Sequence, residues 1–346
     1  MPCNKYMLAP LDKDICCTCL GDSCINAMSA DLKETTVNDC KKVIASEELQ
    51  AKVNEIKRLV EPLPDKLSLY CSDGSISRHL KAQNWNVKKA TKMVQETLKW
   101  RAEYKPEEIR WEEVAHEAET GKIYRSNYID KHGRTVLVMR PCRQNSNSTT
   151  EQIKYLVYCM ENAILNLPPG QEQMVWLVDF KGFSLSNISL TVTHEIAYVL
   201  QNHYPERLGL AILYNPPWLF ESFFTMVKPF LEPETSNKVK FVYSGDPNTK
   251  TIMEDIFNMD HLESAFGGND DTEFDLNKYA DRMQEDDKKM SSFWTRGKFL
   301  SAVSHSVLSL DSNSIRLDSD YDASENEKID CSPSNGIKSK AINPEA

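Results

Sequence analysis

The sequence lacks an excess of positive charge and has no long apolar run. Its 346 residues include 41 Lys and Arg against 51 Asp and Glu, a formal net charge of −10 at pH 7. Because proteins that bind nucleic acid carry a basic footprint, this balance argues against nucleic acid as a partner. No apolar stretch reaches the roughly 18 to 20 residues that span a bilayer, and charges interrupt the N-terminus where a signal peptide has its apolar core. We therefore expect a cytoplasmic protein whose contact with membranes is transient and peripheral.

Motifs of catalytic and metal sites are also missing. The chain contains no GxGxxG, GxxxxGK[ST], GxSxG or HExxH motif. Five of its ten cysteines lie within the first 24 residues, but they do not form two CxxC pairs and have no histidine nearby, which argues against a zinc site. A reduced, mobile leader and reversible palmitoylation of this cluster both remain open. We expect no metal, no cofactor and no enzymatic activity.

Asp179 is the carboxylate that most invites a catalytic interpretation, because it ends an apolar strand where α/β enzymes often place such groups. No nucleophile or base accompanies it, so we expect it to cap the turn at Lys181 or to meet a basic residue. A hydrolase that uses Asp179 remains an alternative. His194 and His203 fall on one predicted helix without the spacing of metal ligands.

Two patterns divide the rest of the chain. From 46 to 112, apolar residues recur every three or four positions, which predicts a small helical module with Trp100 and Trp111 packed between its helices. From 113 to 270, apolar strands alternate with helices, which indicates an α/β fold with a largely parallel sheet. One predicted helix begins at Ser46, and the others cover Ile76–Gln83, Val87–Tyr104, Glu151–Leu167 and Ser189–His203. The predicted strands are Thr135–Arg140, Met174–Phe180, Leu208–Tyr214 and Val239–Tyr243.

The two ends of the chain have a different composition. Residues 1–45 show no sustained periodicity, and residues 271–346 are acidic and rich in serine. Both are predicted to be mostly disordered. Within the second, a short helix is predicted over Leu276–Lys289, and disorder is predicted from Leu300 onward.

An aromatic helix, predicted from Trp218 to about Leu231, stands out from the α/β pattern. Pro217 begins it, a polar stripe follows one side (Glu221, Ser222, Thr225, Lys228), and nearly all other positions are apolar. The helix either packs permanently on the sheet or forms a movable lid over an apolar cavity.

Three segments together resemble the CRAL-TRIO, or Sec14-like, lipid-transfer family. They are VDFKGFSLS at 178–186, NHYPERLG at 202–209, and NPPWLF through VKPFLEPETSNKVKFV at 215–242, and FGG at 266–268 follows them. KAQNWNVKKA at 81–90 and KWRAEY at 99–104 are similar to the helical N-terminal module of the family. The chain most resembles plant single-domain Sec14-like phosphatidylinositol transfer proteins. The resemblance implies a mixed, largely parallel sheet that floors an apolar lipid cavity beneath a gate helix.

The resemblance also implies which residues hold the lipid. Glu206, Thr235 and Lys238 match the headgroup residues of phosphatidylinositol-binding members, whose basic pair is replaced here by Gln83 and Asn84. A neighbouring cation, Lys81 or Arg78, is the candidate replacement. The gate would contribute Trp218, Phe220, Phe223, Phe224, Met226, Val227, Phe230 and Leu231, and the cavity floor Met174 and Trp176.

Met174 and Trp176 stand where phosphatidylcholine-binding members have small hydroxyl residues, so the resemblance gives no support for a phosphatidylcholine site. The expected function is non-enzymatic binding and transfer of phosphatidylinositol or a related phospholipid by a monomer that touches membranes transiently. The alternatives are a carrier of a sterol or a tocopherol-like isoprenoid, and a regulatory module that presents lipid to a kinase.

Overall fold

The structure, a computed structural model, describes residues 46–184, 189–227 and 237–308, with the side chains at 223, 226, 227, 249 and 296–308 left out. The first part is helical: α1 covers 46–60, α2 Asp65–Tyr70, α3 Asp73–Ala82 and α4 Val87–Tyr104. The side chains of Ser72 and Asn86 cap α3 and α4 by accepting backbone N–H groups. These helices share an apolar core of their own that includes Val53, Ile56, Ile76, Leu80 and Val94.

A five-stranded sheet forms the centre of the second part. Its strands, in spatial order, are β1 (Ile123–Ile129), β2 (Thr135–Met139), β3 (Met174–Asp179), β4 (Leu208–Tyr214) and β5 (Val239–Val242). β1 and β2 are antiparallel, and all other neighbours are parallel. The helices that connect or flank them are α5 (Trp111–Ala118), α6 (Thr149–Leu165), α7 (Leu190–His203), α8 (Trp218–Val227), α9 (Pro247–Ile256) and α10 (Leu276–Leu308).

The two faces of this sheet are buried to different extents. Residues paired across parallel strands point to the same face, and alternate residues point to opposite faces. On one face the central side chains are completely buried: Val136, Val138, Val175, Leu177 and Ile212. On the other, which we call the Trp176 face, six apolar side chains stay partly exposed: Met139, Trp176, Val178, Leu213, Val239 and Phe241.

The turn after α9 explains the FGG motif. Gly267 has a φ of +84°, a region that only glycine adopts without strain. A Cβ on Gly268 would lie 1.9 Å from the carbonyl oxygen of Leu262, so a larger residue there requires the backbone to shift. The turn closes against the sheet, because the ring of Phe266 packs edge-on against Tyr214 at 5.3 Å.

Several predicted elements are correct, and some are wrong or missing. Strand β4 and helix α4 have the predicted bounds, and α7 begins one residue after the predicted start at Ser189, whose side chain caps it. The prediction missed α2, α5, β1 and α9, which are short or have weak periodicity. Helix α10 covers Leu276–Leu308, which extends beyond the predicted end at Lys289, and Tyr279 and Met283 belong to the main core. The leader at 1–45 and the end of the tail lie outside the described residues.

The expected packing of two tryptophans between the helices of the N-terminal part is wrong. Trp100 stacks on His203 of α7 at 4.2 Å, and Trp111 meets Tyr279 of α10 at 5.7 Å. Both rings therefore join the N-terminal helices to the sheet-containing part. A periodic pattern identifies a buried stripe on a helix but not the element that covers it.

Candidate functional site

A cluster of three charged side chains lies at the start of β4. One carboxylate oxygen of Glu206, Oε2, is 3.2 Å from the Nζ of Lys81 and 3.4 Å from the Nζ of Lys238. The side chains of Glu206 and Lys238 are 19% and 20% exposed, so the cluster is accessible at its rim. Two ammonium groups therefore lie against one carboxylate, the kind of charged donor and acceptor set that recognises phosphate and hydroxyl groups.

The cluster is held by an unusual backbone turn. Glu206 has a φ of +58°, in the left-handed region that few non-glycine residues adopt. Lys81 comes from the end of α3 in the helical part, and Lys238 directly precedes β5. Three segments that are far apart in sequence thus meet at one carboxylate.

A buried ion network fixes this turn from below. Tyr204, two residues before Glu206, donates its hydroxyl to Glu161 Oε1 at 2.8 Å. Arg101 donates to both oxygens of Glu161, at 2.8 and 3.2 Å, and to Glu107 at 3.2 Å. The Arg101 side chain is 3% exposed and that of Glu161 7%. Because α4, α6 and the turn share these bonds, the turn cannot shift without disturbing both helices.

The electrostatics of the network follow from its composition. Burial by itself raises the pKa of Glu161, but the charge and hydrogen bonds of Arg101 and the hydrogen bond from Tyr204 outweigh it, so the pKa is lowered. Burial, together with the charge of Arg101, lowers the pKa of His203 to about 4. The carboxylate is therefore ionised and the imidazole neutral at pH 7.

Helix α8 lies over the Trp176 face beside β5. The ring of Phe224 contacts Phe241 at 5.3 Å, and Phe220 contacts Phe180 and Phe183 at 4.9 and 5.6 Å. Since Phe241 belongs to the Trp176 face, these contacts place the apolar side of α8 above the partly exposed row. The arrangement is that of a cover resting on an apolar floor.

The start of α8 faces outward. Trp218 is 76% exposed and Leu219 45% exposed, so the structure places neither on the floor. Asn215 makes the turn into the helix with a φ of +51°, and its side-chain oxygen accepts the backbone N–H of Ser244 at 2.8 Å. The NPPW motif therefore ties the end of β4 to the segment after β5 and presents an aromatic edge to solvent.

The other predicted site residues lie away from the charged cluster, inside the core, or outside the described residues. Gln83 donates to the sulfur of Met93 at 3.4 Å and Asn84 is exposed, and across the described ranges no hydrogen bond joins either to Glu206 or Lys238. Met174 is completely buried, so it packs inside the core and not on the open part of the floor. Thr235, Phe230 and Leu231 lie outside the described residues, as do the side chains of Phe223, Met226 and Val227.

Asp179 has the structural role that we expected. Its Oδ1 accepts the backbone N–H of Lys181 at 2.9 Å, and its Oδ2 lies 3.5 Å from Arg140 Nε. Arg140 also donates to Glu263 at 2.6 Å. Asp179 thus caps a turn and joins a partly buried ion network.

Two cavities lie near these features. One, of about 140 Å³, borders the Glu206 turn and is lined by Arg78, Arg101, Tyr204, Pro205, Arg207 and Trp294, among others. Burial and the nearby Arg78 lower the pKa of Arg207 there to about 10. The other cavity, of about 620 Å³, opens at the carboxyl ends of β4 and β5 between Tyr214, Val242, Met253 and Phe266. Its sheet residues belong to the face opposite Trp176, and none of the predicted headgroup residues lines it.

Comparison with known proteins identifies the family. A model of the CRAL/TRIO domain matches residues 118–268. The SEC14 cytosolic factor of Kluyveromyces lactis is 30% identical over 241 residues, which cover 64% of this chain and 78% of that protein. This chain is a Sec14-like member of the CRAL-TRIO family.

Other CRAL-TRIO relatives are longer than the matched region. Phosphatidylinositol transfer protein PDR17 of Saccharomyces cerevisiae is 35% identical over 193 residues, 52% of this chain and 55% of that protein. A CRAL-TRIO domain-containing protein of Schizosaccharomyces pombe is 36% identical over 218 residues, 63% of this chain but 21% of that protein. The match thus spans from about a fifth to just over half of these two proteins. Among solved structures, the crystal structure of Sfh5 matches with a TM-score of 0.46 and 18% identity, over 60% of this chain and 78% of that one.

The part of the chain that the structure describes contains neither a membrane-spanning helix nor a cluster of metal ligands. None of its described helices is both long and apolar enough to cross a bilayer. No group of three or more His, Cys, Asp or Glu among those residues could hold a metal ion.

The sequence contained signals for the buried network that our interpretation did not use. Arg101 falls on the apolar stripe of α4, and Glu161 stands within the apolar run of α6. A charged residue at a buried position is costly unless it is paired, so each of them predicts a partner of opposite charge elsewhere in the chain. Only the fold shows that they are each other's partners.

Proposed function

We propose that this CRAL-TRIO protein binds a phospholipid, with phosphatidylinositol favoured, and carries it between membranes without catalysing a reaction. The observation that carries the proposal is the position of the Lys81–Glu206–Lys238 cluster, at the rim of an apolar sheet face that α8 covers. Acyl chains would lie on the Trp176 face, and the inositol phosphate would meet the cluster. One curated relative is itself named a phosphatidylinositol transfer protein, which supports this lipid class.

The chemistry of the cluster suits an inositol phosphate. The two ammonium groups can each donate to phosphate oxygens, and Glu206 can accept from hydroxyl groups of the ring. Lys81 supplies the cation that Gln83 and Asn84 lack, because it reaches Glu206 from the helical part.

The apolar floor and its cover suit the acyl chains. Removing a lipid from a bilayer exposes its chains unless a protein replaces that environment, at about 25 cal/mol for each Å² of apolar surface. Helix α8 rests on the floor through a few aromatic contacts, made by Phe220 and Phe224. Each such contact contributes about 0.5–1.5 kcal/mol beyond its buried area, and opening of the cover during lipid exchange would break these contacts. The exposed Trp218 and Leu219 at the start of α8 would enter the membrane interface during exchange.

Asp179 gives no support to the alternative of a hydrolase, because a backbone N–H and Arg140 engage its two oxygens. We therefore propose that the protein is a carrier. The proposal includes a division of the chain into a helical module at 46–112 and a lipid-binding domain at 113–270.

The test combines ligand identification with a transfer assay. We expect mass spectrometry of lipids bound to the purified protein to find phosphatidylinositol, and vesicle assays to show its transfer. Lys238→Ala should slow phosphatidylinositol transfer about tenfold, because one charge-assisted contact is lost. Lys240→Ala is the matched control, since Lys240 lies two residues further along and is exposed.

The outcomes separate the parts of the proposal. Unchanged phosphatidylinositol transfer by Lys238→Ala would refute the headgroup assignment. A bound lipid without phosphorus would replace phosphatidylinositol with a sterol or isoprenoid. Absence of both bound lipid and transfer would refute the carrier function.

A further inference from the structure

Trp176 has an unsatisfied hydrogen-bond donor on the floor of the apolar face. Its ring stays partly exposed on the Trp176 face, while its indole nitrogen Nε1 is enclosed and has no acceptor among the described residues. A buried N–H group without a partner is unfavourable, and a buried tryptophan N–H normally finds an acceptor.

The described neighbours of Trp176 within the sheet offer no side-chain acceptor. Leu137 and Ala211 pair with it on the adjacent strands, and Val178 and Leu213 follow on the same face. All four side chains are hydrocarbon, and the backbone carbonyls of the central strands are used in the sheet. Among the described residues no acceptor meets this N–H, and a molecule bound on the Trp176 face would supply one.

We propose that the bound lipid places an ester carbonyl oxygen at Trp176 Nε1, so that this residue selects ester-linked glycerophospholipids. The inference rests on the proposed carrier function and adds a second polar contact to the headgroup cluster. Side chains enclose the N–H in this structure, so the incoming lipid must displace some of them. The hydrogen bond therefore forms only in the loaded protein.

The distance from Trp176 to the charged cluster suits such a lipid. Ala211 pairs with Trp176 on one side and with Val239 on the other, and Lys238 directly precedes Val239. Two strand spacings separate Trp176 from Val239, which is about 10 Å. In a glycerophospholipid about six bonds join the phosphorus to an ester carbonyl oxygen, and they span roughly 8 Å when extended. This backbone separation is comparable with the reach of one glycerophospholipid from a phosphate near Lys238 to a carbonyl at Trp176.

This geometry discriminates between ligand classes. A sterol or isoprenoid alcohol has its polar atom at one end, so it can engage the cluster or Trp176 but not both. A dialkyl ether phospholipid has the phosphate but lacks the carbonyl. A diacyl phospholipid satisfies both positions.

The test compares diacyl and dialkyl phosphatidylinositol as ligands of the full chain. We expect the wild type to load the diacyl form about tenfold more tightly, because one hydrogen bond to a buried N–H is at stake. Trp176→Phe keeps an aromatic ring and removes the N–H, and it should bind both forms equally. Trp85→Phe is the control, since Trp85 is exposed in the helical part, and it should keep the preference.

Each result bears on the inference in a defined way. A wild type that loads both forms equally well, or a Trp176→Phe protein that keeps the preference, overturns the role of Trp176 and leaves the carrier function intact. A wild type that loads neither lipid refutes the carrier function and this inference with it. If Trp176→Phe does not fold, the indole N–H resonances of the wild type decide, because one of them should shift downfield on loading with the diacyl form and not with the dialkyl form. The absence of that shift overturns the inference.

Discussion

Breaking the buried network beneath the Glu206 turn should destabilise the protein strongly. Replacing Arg101 with methionine leaves Glu161 and Glu107 in the interior, with side chains only 7% and 6% exposed and without their cation. Removing one partner of a buried ion pair costs about 3–5 kcal/mol, because the remaining charge is uncompensated. Tyr204 would still donate to Glu161, so we expect a loss near the lower end of this range, about 3 kcal/mol.

Urea unfolding followed by circular dichroism measures this loss. We expect Arg101→Met to lower the free energy of unfolding and Arg101→Met/Glu161→Gln to recover about half of the loss, because the second change neutralises one stranded carboxylate. Lys92→Met is the control: Lys92 and Glu96 are both exposed and 3.7 Å apart, so it should change stability by less than about 0.5 kcal/mol.

The pH dependence offers a second check. Without Arg101, the pKa of the buried Glu161 rises above its unfolded value of about 4.3, so the variant regains stability by protonation as the pH falls. The difference from the wild type should therefore be smaller at pH 5 than at pH 8. A loss below about 1 kcal/mol, or a double variant whose loss equals the sum of the single losses, would refute the assignment of a coupled buried network.

Two further predictions concern stability. His79 and His203 are buried, and burial is the main cause that lowers the pKa of each to about 4. Between about pH 6.5 and 4 the unfolded chain thus binds more protons than the folded one, and lowering the pH from 7 to 5 should cost about 3–4 kcal/mol in total. Unfolding at several pH values measures this, and His79→Gln/His203→Gln should flatten the profile; an equally steep profile would contradict the prediction. Gly268→Ala should cost about 1–3 kcal/mol, because its Cβ would meet the carbonyl oxygen of Leu262, whereas Gly245→Ala has open space and should be neutral in the same thermal unfolding measurement.

Local signals predicted the elements whose structure depends on nearby residues. The apolar run Leu208–Tyr214 is a strand buried within the sheet, and Pro217 directly precedes α8. Ser189, where the helix was predicted to begin, caps α7, since a cap needs only its own side chain and the next turn. Asp179 caps the turn that it precedes. The same local reasoning failed for β1 and α5, whose short patterns do not distinguish strand, helix and loop.

The sequence alone determined the family, the α/β class and the place of an aromatic helix after β4, because motifs and periodicity are properties of contiguous residues. Only the tertiary structure decided that Lys81, and not Gln83 or Asn84, reaches Glu206, since these segments are 125 residues apart in sequence (206 − 81). It also decided that Trp176 faces the incompletely covered side of the sheet with an unsatisfied N–H. Contacts between distant segments depend on how helices and strands pack together, and no local pattern specifies that packing.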